Sequence, residues 1–332
     1  MAVEVVAARE HVGAWRGPML VVGGLTIVAV CGLALGLRRS SSVQAFSVVF
    51  LSIVLEALPF IVIGSVVSAA LETVAPERVS RVLRRVPSPV AVPVGAMLGC
   101  FLPVCECASI PVARRLARRG FPPNAALAYM LAAPVVNPVV IVATAIAFRG
   151  RPSVVWGRVV IAYFVAVVVA WVLSPQAAGM FAPSAGTQEV AAVHAHEQPE
   201  SRLSFSDVLA DDIVFMGRYL VVGATLAAAL QALVPRSVLD GVARTTLGSV
   251  ITLMVLAVAL SVCSEADAFV AASFTSFVPG ALVAFLVFGP MVDLKLIAIY
   301  GGSFGAAATR RLVLAIAGPV VVGALWFQVM VR

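Results

Sequence analysis

The stretch C-E-C-A-S-I-P, Cys105 to Pro111, sets two thiols and a carboxylate inside a run of apolar residues. A second stretch, C-S-E-A-D from Cys263 to Asp267, has the same chemistry in a similar setting. Thiolates prefer soft, polarisable acceptors, so two or three thiols meeting at one place suit a trivalent metalloid. Asn137, Asp293 and Lys295 also interrupt apolar segments. A charged side chain at the centre of a membrane helix costs at least about 2.5 to 3.5 kcal/mol, so such residues normally face a cavity and mark a pathway. Cys105, Cys107, Cys263, Asn137 and Asp293 are therefore candidate substrate-binding residues. Glu106, Glu265 and Asp267 are candidate proton-coupling residues, because a carboxylate embedded where water is scarce can bind and release a proton.

The bland alternatives are specific. Cys31 and Cys100 read as small packing residues. Asp293 and Lys295 could neutralise each other or cap a half-helix, and Glu56 could be a structural hydrogen-bond partner. Zinc fits poorly: C-x-C lacks the usual C-x2-C spacing and no His lies nearby. His194 and His196 fall in a polar linker and read as solvated sequence. Lys295 is the only lysine and no G-K-[ST] occurs, so the chain carries no P-loop. No cofactor and no resident metal is expected.

The elements that must position these groups are membrane helices. Of 332 residues 61% are hydrophobic and 12% charged, with a mean hydropathy of +1.06, far outside the soluble range. A bilayer crossing takes roughly 20 apolar residues in a helix. Nine such segments occur: Met19 to Leu37, then about 44–72, 90–112, 123–148, 154–173, 207–234, 247–272, 279–301 and 312–330. The fold class is all-α and polytopic, with the lipid bilayer as the main partner. The net charge of +7 does not imply nucleic acid. Arg38-Arg39, Arg78 to Arg85, Arg114 to Arg119, Arg149 to Arg158 and Arg310-Arg311 lie beside apolar segments and read as loop anchors. The first segment reads as a retained span rather than a signal peptide. The five cysteines all fall in apolar runs and read as free thiols.

The organisation that follows is an extra N-terminal span (1–43), a first membrane repeat (44–173), a polar linker on the non-cytoplasmic side (174–206) and a second repeat (207–332). Gly64 to Pro76 lies over Gly223 to Pro235, Pro134 over Pro290, and Asn137 over Asp293. Prolines mark breaks: Pro103 and Pro111 around the Cys-Glu-Cys turn, Pro134 and Pro138 around Asn137, and Pro290. The interrupted segments are either re-entrant hairpins or full crossings, and the charge pattern favours hairpins. If both segments of a half behave alike, the halves are parallel; one hairpin and one full crossing would invert them.

C-x-C-x-x-x-P from Cys105, R-G at Arg119-Gly120, A-x-P-x-x-N-P from Ala132 and G-P-M-V-D-L-K from Gly289 to Lys295 resemble the predicted permeases of the YraQ/ArsP type. The resemblance covers about residues 45 to 332. It implies a bacterial inner-membrane permease for a small-molecule substrate; some members export trivalent organoarsenicals. The family commonly has a small residue between the two cysteines, where this chain has Glu106. The leading expectation is a secondary transporter exporting a soft solute in exchange for protons. The alternatives are a thiol redox carrier or enzyme, a permease for another sulfur-containing or anionic solute, and an assembly subunit. The oligomeric state is left open.

Overall fold

The computed structural model describes residues 41–73, 87–102, 104–181, 205–233 and 245–331, and among these there are helices and no strands. In chain order they are α1 (Ser41–Thr73), α2 (Ser88–Met97, continued by a 3-10 turn over Leu98–Cys100), α3 (Glu106–Arg118), α4 (Pro123–Val136), α5 (Pro138–Ala147) and α6 (Pro152–Val172). Then follow α7 (Ser174–Phe181), α8 (Phe205–Leu233), α9 (Thr246–Leu260), α10 (Asp267–Ala272), α11 (Pro279–Phe288), α12 (Leu294–Phe304) and α13 (Ala306–Met330). Five stretches are long and apolar enough to cross a membrane: Phe46–Val67, Pro123–Ala147, Pro152–Val172, Asp212–Ala229 and Ala306–Met330. Val48, Trp156, Phe164 and Val322 expose apolar side chains on the outside, as a lipid-facing surface requires. Inside, Ala125, Ala126, Ala128, Ala132 and Ala133 are fully buried on α4, and small residues let helices approach closely. The first apolar segment, Met19 to Leu37, lies outside the described residues.

A few contacts fix the path of the chain. Asn124 Nδ2 donates to Ser174 Oγ at 3.2 Å, so α4 starts beside the end of α6. With 21 residues, α6 is about 31 Å long. Together α4 and α5 must therefore travel the whole thickness the other way, and 123–147 is a full crossing. The end holding Asn124 and Ser174 is called the near end, and the other the far end.

The preceding segment does something different. Gly95 packs on Ala125 and Gly99 on Ala133, and Cys100 Sγ donates to the Val136 carbonyl at 3.3 Å. So α2 runs parallel to α4 from the near end and stops at mid-depth. A short turn through Gly120 and Phe121 joins α3 to α4, so α3 must return to the near end. Residues 88–118 form a re-entrant hairpin with the Cys-Glu-Cys stretch at its tip.

The second half repeats this plan upside down. Gly280 N donates to Gln328 Oε1 at 2.8 Å, placing the start of α11 beside the end of α13. Phe327, near that end of α13, packs on Gly157 near the start of α6, which is the far end. At the near end, Phe304 closes α12 edge-on against Phe181, with ring centroids 5.7 Å apart. Residues 279–304 thus cross from far to near. α9 lies along α11 with Ala257 beside Gly289, and α10 leads back to the start of α11, a second hairpin entering from the far end. Gly150 and Gly305 make the tight turns into α6 and α13 with φ of 84° and 82°, a conformation that favours glycine.

Each half therefore joins one hairpin to one full crossing, and the halves run in opposite directions. This corrects the expectation of two hairpins per half and parallel halves. Hydropathy gives a broken segment the same signature whichever way it turns. Three further corrections follow. Phe181 and Phe205, the described residues that flank the polar linker, lie at the near end together with Arg114 to Arg119 and Arg310-Arg311, an arginine-rich end that does not fit the non-cytoplasmic side expected there. Arg158 is fully buried and Arg115 is 7% exposed, so neither is a loop anchor. Pro111 and Pro134 lie inside α3 and α4 rather than ending them. Each removes one backbone donor, but packing on both sides carries the helix through. The breaks fall at Pro138, which opens α5, and around Pro290; Pro103 lies outside the described residues.

Candidate functional site

The tips of the two hairpins meet. The Cys105–Glu106 start of α3, the Asp293 start of α12 and the 261–266 break between α9 and α10 converge on one buried lysine. Lys295 Nζ lies 3.2 Å from Glu106 Oε1, 3.3 Å from Asp293 Oδ2 and 3.5 Å from Cys263 Sγ. The contacts to Glu106 and Cys263 are hydrogen bonds; Asp293 Oδ2 stands at ion-pair distance and is buried without a hydrogen-bond partner. The Lys295, Glu106 and Asp293 side chains are at most 1% exposed. With all three ionised the cluster carries one net negative charge.

Local structure explains why the carboxylates sit where they do. Glu106 is in the first turn of α3, where the helix dipole favours negative charge. Asp293 is the N-cap of α12, its Oδ1 accepting from Leu296 N at 2.6 Å. Asn137 holds the same station on α5, its Oδ1 accepting from Val139 N at 2.9 Å. Ser261 adopts left-handed φ of 47° at the end of α9, and its hydroxyl accepts from Leu294 N at 3.2 Å. That bond ties the α9–α10 break to the start of α12.

Ser264 Oγ lies within donating distance of Glu106 Oε2 at 3.1 Å and of Glu265 Oε2 at 3.3 Å. The other Glu265 oxygen is buried without a hydrogen-bond partner. Asp267 commits both oxygens to Arg158, at 2.8 Å each. Arg158 also donates to Thr144 Oγ1 at 2.9 Å and to the Ser264 carbonyl at 3.2 Å.

The sequence-predicted residues thus divide. Glu106, Asp293, Cys263 and Lys295 touch one another, and Glu265 joins them through Ser264. Cys107 is buried on the first turn of α3, next to Glu106. Cys105 is the buried N-cap residue of α3, and Asn137 serves as a helix cap. Among the described residues no group of three His, Cys, Asp or Glu is placed to hold a metal ion. The four described cysteines are free thiols. Sequence reasoning missed Ser264 and Arg158. The signal for Arg158 was its place seven residues into the apolar run from Pro152, too deep for a water-facing anchor.

Known proteins share this chain's sequence over most of its length. The "UPF0718 protein YcgR" of Bacillus subtilis is 37% identical over 273 residues, covering 78% of this chain and 88% of the relative. A Streptococcus mutans protein named "Putative two-component membrane permease complex subunit" is 31% identical over 263 residues, covering 77% and 85%. No solved structure matches. The model of a family described as "Predicted permease", ArsP_1, matches residues 42–329, which takes in both hairpins and the Lys295 cluster: the chain belongs to this family of multi-pass membrane permeases.

Proposed function

We propose that the protein is a secondary permease of the inner (plasma) membrane that exports a small soft solute, a trivalent organoarsenical being the substrate to test, in exchange for protons. The carrying observation is the meeting of two oppositely entering hairpin tips at a buried cluster of thiols, carboxylates and one lysine. Broken helices of inverted halves are where secondary transporters place their substrate. Cys263 touches Lys295, and Cys105 and Cys107 flank Glu106 in the sequence, a soft donor set. The net negative charge argues against the anionic-solute alternative. Lys295 pairs with Glu106 and Asp293, and Arg158 with Asp267, so the proton-carrying role falls to Glu265, which among the described residues has no ion-pair partner.

Alkylation of the purified protein's thiols with and without phenylarsine oxide tests the site, and transport into everted vesicles tests the activity. Joint protection of Cys107 and Cys263, with Glu265→Gln losing proton-gradient-driven accumulation but keeping that protection, is the expected result. Unprotected thiols, or normal accumulation by Glu265→Gln, would sink the reading. The name of the Streptococcus mutans relative favours a second reading, a subunit that transports only together with a partner chain. Reconstitution of this chain alone separates the two.

A further inference from the structure

We infer that Arg158 is a positioning residue: from α6 it holds the α9–α10 break in the shape that presents Cys263 and Ser264 to Glu106 and Lys295. This deepens the proposed site and rests on that reading for its link to transport.

Four bonds and their placement support it. The guanidinium is fully buried and lies on a helix that is unbroken and continuous across the membrane. It grips both oxygens of Asp267, the first residue of α10, and the carbonyl of Ser264, inside the break. Between these two anchor points lie only Glu265 and Ala266, and Cys263 immediately precedes them. The Ala266 and Asp267 amides donate to the Cys263 carbonyl at 3.0 and 2.9 Å, which curls the turn without fixing it to the rest of the protein, and the outside contacts of Cys263 and Ser264, to Lys295 at 3.5 Å and Glu106 at 3.1 Å, are those of the site itself. Arg158 and the Ser261–Leu294 bond provide external attachment on either side of Cys263. Thr144 Oγ1 takes the remaining NH1 contact while donating to the Val140 carbonyl at 2.7 Å, which adds α5 to the same clamp. A lysine could not replace this: only a planar guanidinium can engage a carboxylate with two parallel bonds and reach a carbonyl with the same nitrogen pair.

A purely structural arginine would affect all parts of the protein alike, whereas a positioning residue acts on one break. The test is the rate at which a small maleimide modifies each cysteine in the purified full-length protein, followed by mass spectrometry, in Arg158→Lys and in the milder Asp267→Asn. Both variants should raise the rate at Cys263 roughly 10- to 100-fold, the local opening expected when one or two charge-assisted hydrogen bonds go, with Cys100 unchanged. The charge-reversed pair Arg158→Asp with Asp267→Arg should restore part of the protection. Unchanged Cys263 reactivity in Asp267→Asn, or an equal rise at Cys100 and Cys263, overturns the inference. Because the readout needs no substrate, it stands or falls separately from soft-solute export. If the vesicle assays show export, Asp267→Asn should raise KM more than it lowers kcat.

Discussion

Lys295 is the only lysine in the chain, and its ammonium is spent on Glu106, Asp293 and Cys263. Removing one partner of a buried ion pair strands the other charge, which typically costs about 3 to 5 kcal/mol. Lys295→Met should therefore lower the stability of the detergent-solubilised protein by about that amount, read as a drop in thermal midpoint. Adding Glu106→Gln to Lys295→Met should recover part of the loss, since it removes one of the stranded charges. A Lys295→Met protein as stable as the parent would mean that water reaches the cluster. The same ammonium explains why Glu106, the best coupling candidate by position, is a poor one by contact: its Oε1 faces Lys295 and its Oε2 faces Ser264.

At the scale of elements, the two full crossings are broken near mid-depth, and each second half-helix starts from a capped residue, Asn137 for α5 and Asp293 for α12. A cap satisfies a backbone donor that the break leaves open in the membrane interior, where no water is at hand. Asn137→Ala should cost about 1 kcal/mol of stability, with Asn137→Asp close to neutral, in the same melting experiment. A much larger loss would show that Asn137 also holds something other than Val139 N. The near ends of the half-helices are tied in a different way. Arg114 donates to the Ser303 carbonyl and stacks over Phe304, and Arg115 pairs with Asp212 at 2.9 Å. These contacts lock α3, α12 and α8 together on the side where the arginines cluster.

For the whole molecule, the decisive property is that the halves enter the membrane from opposite sides. Arg114, Arg118, Arg119, Arg310 and Arg311 share the near end, and Arg149 and Arg151 mark the far end, so the orientation to test by the positive-inside rule has the near end on the cytoplasmic side. Arg118 and Arg151 are both exposed. Arg118→Cys should react with a membrane-impermeant maleimide only from the cytoplasmic side, and Arg151→Cys only from the other, in a Cys31→Ser background whose four described cysteines are buried or half-buried. Reaction of both from one side would refute the full crossing of residues 123–147 and with it the opposed arrangement.

Residue types and spacing alone determined that the chain is a helical membrane protein, and they placed Cys105 to Cys107 and Cys263 to Asp267 in interrupted apolar segments. Burial of apolar length and the cost of placing a charge in hydrocarbon are local properties, legible residue by residue. The break at Asn137-Pro138 was legible for the same reason, since a missing N–H acts on its own turn of helix. Only the tertiary structure decided which broken segment turns back and which passes through, because a break permits either path and packing selects one: α2 stops where Cys100 meets the Val136 carbonyl. It also decided the pairing of charges. Arg158 and Asp267 are 109 residues apart, and an arginine bound for a buried carboxylate looks, in one dimension, the same as an arginine bound for the membrane edge.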